Sequence, residues 1–84
     1  MTEKEVREKL RTYICAELLN NPDYSLRDDE PLITSGLMDS FLLAQVGVFA
    51  EIQFNVYVPD TDLTVADMDT VDQIVARIMK DVSA

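Results

Sequence analysis

An all-α fold of three substantial helices and one short helix is predicted by three features of the sequence. Apolar residues recur at three- and four-residue intervals in its first, middle and last thirds. Thr2 and Thr70 stand three residues before Glu5 and Gln73, the spacing of a reciprocal helix cap. The 84 residues include two glycines and three prolines, too few turn formers for an all-β sandwich. A chain of this length is a single domain, 1–84, near the lower size limit for folding on one core without metals or disulfides. Its 48% hydrophobic content argues against disorder.

The first helix is expected over residues 2 to 19. Val6, Leu10, Tyr13, Ile14 and Leu18 form its apolar stripe, and Glu3, Lys4, Arg7, Glu8 and Arg11 its solvated face. Cys15 falls beside the stripe and, with no second cysteine or histidine near it, reads as a small buried filler rather than a reactive thiol. Asn20-Asn21-Pro22 stops the helix, because proline disfavours a helical conformation at the residue before it. A long acidic segment follows to Met38. A loop of this length is compatible with a small domain if Tyr24, Leu26, Leu32, Ile33 and Leu37 fold back onto the core.

A second helix is expected from Ser40 to Phe54, capped by Asp39, with Gly36 giving backbone freedom just before it. At about 100° per residue, Leu43, Val46, Ala50 and Phe54 share a core face. Ser40, Ala44, Gly47 and Glu51 share a short-chained row that would let a partner approach Ser40. Phe41, Val48 and Ile52 flank that row, so this nearly all-apolar helix is either enclosed by the others or turns part of its surface to a partner. Gly47 would cost about 1 kcal/mol against alanine in a helix interior, which a close neighbour or partner would explain.

Val56-Tyr57-Val58, ended by Pro59, reads as an extended connector. A short third helix is expected over about Asp62 to Asp67, carrying Leu63 and Val65. Asp60 and Asp62 begin like a calcium loop, but the required glycine and terminal glutamate do not follow. The last helix runs from the Thr70 cap to about Asp81, with Val71, Ile74, Val75, Ile78 and Val82 inward and Lys80 opposing the helix dipole.

The formal net charge of −9 disfavours nucleic acid and anionic membrane surfaces and favours basic patches on protein partners. No apolar run approaches the roughly 20 residues of a membrane span, the first residues lack the pattern of a signal peptide, and one cysteine fits a reducing compartment. A soluble cytoplasmic monomer is expected. Without histidine the chain lacks the usual base for chemistry near neutral pH and the usual zinc ligand, so an independent enzyme is not expected. What it does offer is Ser40, in the first turn of the second helix behind the Asp39 cap, where a hydroxyl projects outward and can be modified.

These features resemble the acyl carrier protein family, which includes peptidyl and D-alanyl carriers, over nearly the whole chain. The resemblance rests on Ser35-Gly36-Leu37-Met38-Asp39-Ser40-Phe41, on Phe54-Asn55-Val56-Tyr57-Val58-Pro59, and on Met68-Asp69-Thr70-Val71 opening the last helix. It implies a right-handed up-down four-helix bundle. It further implies a covalent 4′-phosphopantetheine on Ser40, installed by a phosphopantetheinyl transferase that Asp39 helps with its magnesium, and no metal of the chain's own. The arm would carry an acyl or aminoacyl group as a thioester between an activating ligase and a downstream transferase or synthase. Phe41, Ala44, Gln45, Val48, Glu51 and Ile52 are the residues expected to meet those partners. The chain departs from carriers of fatty-acid synthesis in having only Glu51 as an acid on the second helix after the cap, and Phe41 and Val58-Pro59 look nearer to D-alanyl and peptidyl carriers. An acyl carrier, an amino-acid carrier and an unmodified helical interaction module are the three readings that follow.

Overall fold

The computed structural model describes residues 2–82. It is all-helical, with three α-helices: α1, Glu3–Tyr13; α2, Ser40–Phe54; and α3, Val71–Asp81. Among the described residues there is no strand, and no helix is long and apolar enough to cross a membrane. The expected boundaries of α2 and α3 hold, whereas two other elements differ from expectation.

Both reciprocal caps form. Thr2 Oγ1 accepts the Glu5 N–H at 3.2 Å while Glu5 Oε1 accepts the Thr2 N–H at 3.3 Å. At α3, Thr70 Oγ1 accepts the Gln73 N–H at 3.1 Å and Gln73 Oε1 accepts the Thr70 N–H at 3.1 Å. Each cap satisfies two amides that a helix start would otherwise leave open. Thr70→Ala is therefore expected to lower stability by about 1 kcal/mol, read as an earlier urea midpoint with an unchanged m-value.

The first helix does not continue to residue 19 as an α-helix. Past Tyr13 the chain widens into a π-helical turn, Ile14–Leu18, and stops at Asn20, whose φ of +54° is left-handed. Within this turn the adjacent side chains Ile14 and Cys15 both lie in the core. Burial pushes the Cys15 thiol above its ordinary value, so this sulfur stays protonated and packs as a small apolar group.

The core is one cluster. Val6, Leu10 and Ile14 meet Leu43, Val46 and Ala50 of α2 and Val71, Ile74, Val75 and Ile78 of α3. The irregular segment between the π-turn and α2 contributes Leu26, Leu32 and Met38, all 5% exposed or less, with Tyr24, Ile33 and Leu37 packed at the edge. The loop is thus part of the core, as its length required. Two backbone bonds staple it to the start of α3: Asp72 N–H to Asp28 O at 3.0 Å and Leu32 N–H to Asp69 O at 2.6 Å. Arg7 reinforces this seam from α1, reaching Asp28 at 3.3 Å and Asp72 at 2.5 Å, and Arg11 also pairs with Asp28. These partly exposed pairs each add modestly, beside the apolar anchors of the seam.

The expected short helix over Asp62–Asp67 is corrected to a single 3₁₀ turn, Asp60–Asp62. Leu63, with φ −84° and ψ 69°, leaves helical geometry, and the chain then makes one isolated turn in which Met68 N–H bonds Thr64 O at 2.9 Å. The reason is tertiary: Leu63 is drawn onto Gly47 of α2, where a Cβ on the glycine would lie 3.1 Å from Leu63 Cδ1. Before it, Val56 and Val58 are buried and Tyr57 is 66% exposed, the alternation of an extended connector.

Candidate functional site

The segment that presents Ser40 is built in three steps. Met38 N–H donates to Leu32 O at 2.8 Å and the Met38 side chain is buried, which closes the base of the turn between them. Asp39 then takes an extended conformation, φ −120° and ψ −179°, and its Oδ1 accepts the Leu42 N–H at 2.9 Å. Ser40 follows as the first residue of α2, exposed to solvent. A polar loop becomes a helix here because the aspartate satisfies one of the open amides and its charge suits the positive end of the helix dipole. Ser35, the other hydroxyl in this stretch, is already committed, donating to Pro31 O at 2.5 Å.

Beside this cap, the Asp69 carboxylate grips the preceding turn. Its Oδ1 accepts the N–H groups of Ile33 and Thr34 at 2.7 and 3.1 Å, and its Oδ2 accepts the Thr34 hydroxyl at 2.7 Å. Burial pushes the Asp69 carboxyl up, but the bonds from Thr34 and Ile33 outweigh it and hold the group below the ordinary carboxylate value. Gly36 completes the turn at φ +88°, a conformation that glycine adopts without strain, with its N–H on Ile33 O at 3.0 Å.

The surface of α2 beyond Ser40 is apolar and open. Phe41, Val48 and Ile52 are 68, 53 and 72% exposed, Ala44 and Glu51 are exposed, and Gln45 is half-buried. Phe41, Gln45, Val48 and Ile52 follow one another at three- and four-residue steps, so they form one stripe running down the helix from the serine. Of the two alternatives for this helix, a surface partly turned outward is the one found. The row expected to admit a partner is corrected at one position: Gly47 is buried beneath Leu63 of the chain itself, while Ser40, Ala44 and Glu51 remain accessible.

The sequence reading missed how this stripe continues onto α1. Tyr13 stacks on Phe49 with ring centroids 4.1 Å apart at 13°, and Phe54 meets Phe49 edge-on at 5.6 Å. An open groove of about 520 Å³ runs over the stack, edged by the charged residues Glu8, Lys9 and Glu17, and a smaller one of about 320 Å³ shares the stack and extends to Val48 and Ile52. Burial, with the charge of Glu17, raises the Tyr13 phenol above its ordinary value. Tyr13 and Phe49 lie on different helices about 36 residues apart, and only a heptad-like reading of two helices at once would have paired them.

The chemistry available to Ser40 within the chain is small. Its neighbour Asp39 is engaged as a cap, and the sequence holds no histidine to act as a base. Among the described residues, no group of three or more histidine, cysteine, aspartate or glutamate side chains converges to hold a metal ion. No family model and no curated protein matches this chain.

Proposed function

We propose that this protein is a carrier of the acyl carrier protein type, with Ser40 as the covalent anchor of 4′-phosphopantetheine. The observation that carries the reading is an exposed serine at the first position of α2, behind an aspartate cap, in a chain without histidine. In this reading the 3₁₀ turn Asp60–Asp62 stands where a four-helix bundle has its short helix. The residues fit the group: Ser40 is accessible, and the open end of α2 tolerates the charge of a phosphodiester. The arm would supply a thiol that holds an acyl or aminoacyl group as a thioester. The chain's own contribution is to hold the anchor at a fixed point on a rigid body, so that tethering raises the concentration of substrate at each partner's active site.

Its partners would be a phosphopantetheinyl transferase, an acyl- or aminoacyl-activating ligase and a downstream transferase or synthase. Intact mass after incubation with a transferase, magnesium and coenzyme A tests the reading: one phosphopantetheine should be gained. A chain left at its original mass by every competent transferase would leave the second reading, an unmodified helical interaction module, which the exposed Phe41–Val48–Ile52 stripe favours.

In either reading, partners meet an α2 surface whose only acid is Glu51, so docking should be apolar and little affected by salt. Raising ionic strength from low to several times physiological should change the KM of the cognate ligase by less than about threefold. Ile52→Asp should raise that KM roughly tenfold or more, the loss expected from one buried isoleucine contact. A steep loss of docking with added salt would contradict the prediction that docking is apolar.

A further inference from the structure

We propose that Asp69 is a positioning residue for the modification of Ser40, its carboxylate holding the Ile33–Gly36 turn in the shape that the modifying transferase reads beside the serine. The inference rests on the carrier reading above.

The loop before α2 has no regular secondary structure, so its order has to come from specific anchors. Its base is fixed by buried Leu32 and Met38 and by the backbone bonds Leu32 N–H to Asp69 O and Met38 N–H to Leu32 O. The turn between those anchors is different: Thr34, Ser35 and Gly36 are exposed, and a Cβ placed on Gly36 would meet nothing within 4 Å. Among the described residues, the Asp69 side chain alone reaches this turn from another element with hydrogen bonds from Ile33 and Thr34. Without it, the turn keeps its Gly36 N–H to Ile33 O bond and the Ser35 bond to Pro31, both internal, but loses its fixed placement against α3.

That placement matters because the turn ends three residues before Asp39, so an enzyme that seats Ser40 and its cap also meets Thr34 to Leu37. In the transfer, Ser40 Oγ forms a bond to the pantetheine-side phosphorus of coenzyme A and the pyrophosphate P–O bond breaks. Adenosine 3′,5′-bisphosphate leaves, and the hydroxyl proton passes to a base of the transferase. Asp69 takes no part in these bond changes. A turn that must be ordered during docking weakens encounter without altering the chemical step, so its loss appears in KM and not in kcat.

The experiment compares wild type, Asp69→Ala, Asp69→Asn and Thr34→Val as full-length substrates of one phosphopantetheinyl transferase with coenzyme A and magnesium. Each is assayed below its own thermal transition. Asp69→Ala should raise KM roughly three- to tenfold, the scale of ordering one or two side chains, with kcat within about twofold. Its amide exchange should quicken at Thr34 to Leu37 and stay slow in the helices. Asp69→Asn keeps a carbonyl for the two N–H groups and should restore KM to within about twofold of wild type. Thr34→Val removes one of the three bonds and should give an intermediate KM, which serves if Asp69→Ala does not fold. An unchanged KM in both Asp69→Ala and Thr34→Val, with wild type modified normally, would overturn the inference, as would a fall in kcat that tracked thermal stability alone. Failure of wild type itself to be modified would instead sink the carrier reading, and this inference with it.

Discussion

Ser40→Ala should remain at its unmodified mass under conditions in which wild type gains one phosphopantetheine, and no amount of added transferase should change that. The expected loss is complete because the effect is covalent: without Oγ there is no atom to form the bond to phosphorus, and among the described residues no other hydroxyl stands at the first position of an α-helix. Ser35 lies five residues away but donates to Pro31 O, and it sits in a turn, not behind a helix cap. The substitution should leave the fold intact. Ser40 is exposed at the first position of α2, alanine is a good helix former, and the Asp39 bond to Leu42 does not involve the serine side chain. Stability should stay within about 0.5 kcal/mol of wild type, measured by urea unfolding. A mass gain that persisted in Ser40→Ala would move the anchor to another residue and remove the reason for singling out this helix start.

The parts of the molecule that could be read from sequence are those governed by local chemistry. α2 begins at Ser40 because Asp39 caps it, and α3 begins at Val71 because Thr70 and Gln73 bond reciprocally. Both signals lie within four residues of the boundary they mark. The inward stripe of α3 could be read for the same reason, since Val71, Ile74, Val75 and Ile78 share a face whatever they pack against. The π-turn after Tyr13 could not, because over five residues an apolar spacing does not separate a π-helix from an α-helix. The short helix failed for a tertiary reason: Leu63 is wanted over Gly47, and the backbone bends out of helical geometry to deliver it.

The candidate site divides along the same line. Ser40 and Asp39 are adjacent, so their relation is visible in the chain itself. Asp69 grips Ile33 from 36 residues away, and nothing near either residue announces the other. In sequence Asp69 is one acid among 16. Its three hydrogen bonds and the depressed carboxyl that they produce exist only once the loop has folded back onto α3. The Tyr13–Phe49 stack is likewise a product of assembly, bringing together two side chains that no local spacing pairs.

Leu32→Ala should lower stability by about 2–5 kcal/mol, although Leu32 belongs to no helix. Irregular segments ordinarily run over the surface, where truncating a side chain is mild, yet this side chain is fully buried in the common core and its N–H holds Asp69 O. Removing it leaves a cavity where the loop, α2 and α3 meet, and the loop cannot close inward because both of its staples fix the backbone to α3. A domain of this size has roughly 5–15 kcal/mol in all, so a mid-range loss should shift the urea midpoint by roughly a third of its value. Leu37→Ala, which truncates a partly buried loop residue, should have a clearly smaller effect and serves as the comparison. If Leu32→Ala lost less than about 1 kcal/mol, the loop would be an appendage that opens independently of the helices. The turn beside Ser40 would then owe nothing to the cooperative core. A loss of the expected size makes the loop, and the serine that it delivers, as firmly held as the bundle itself.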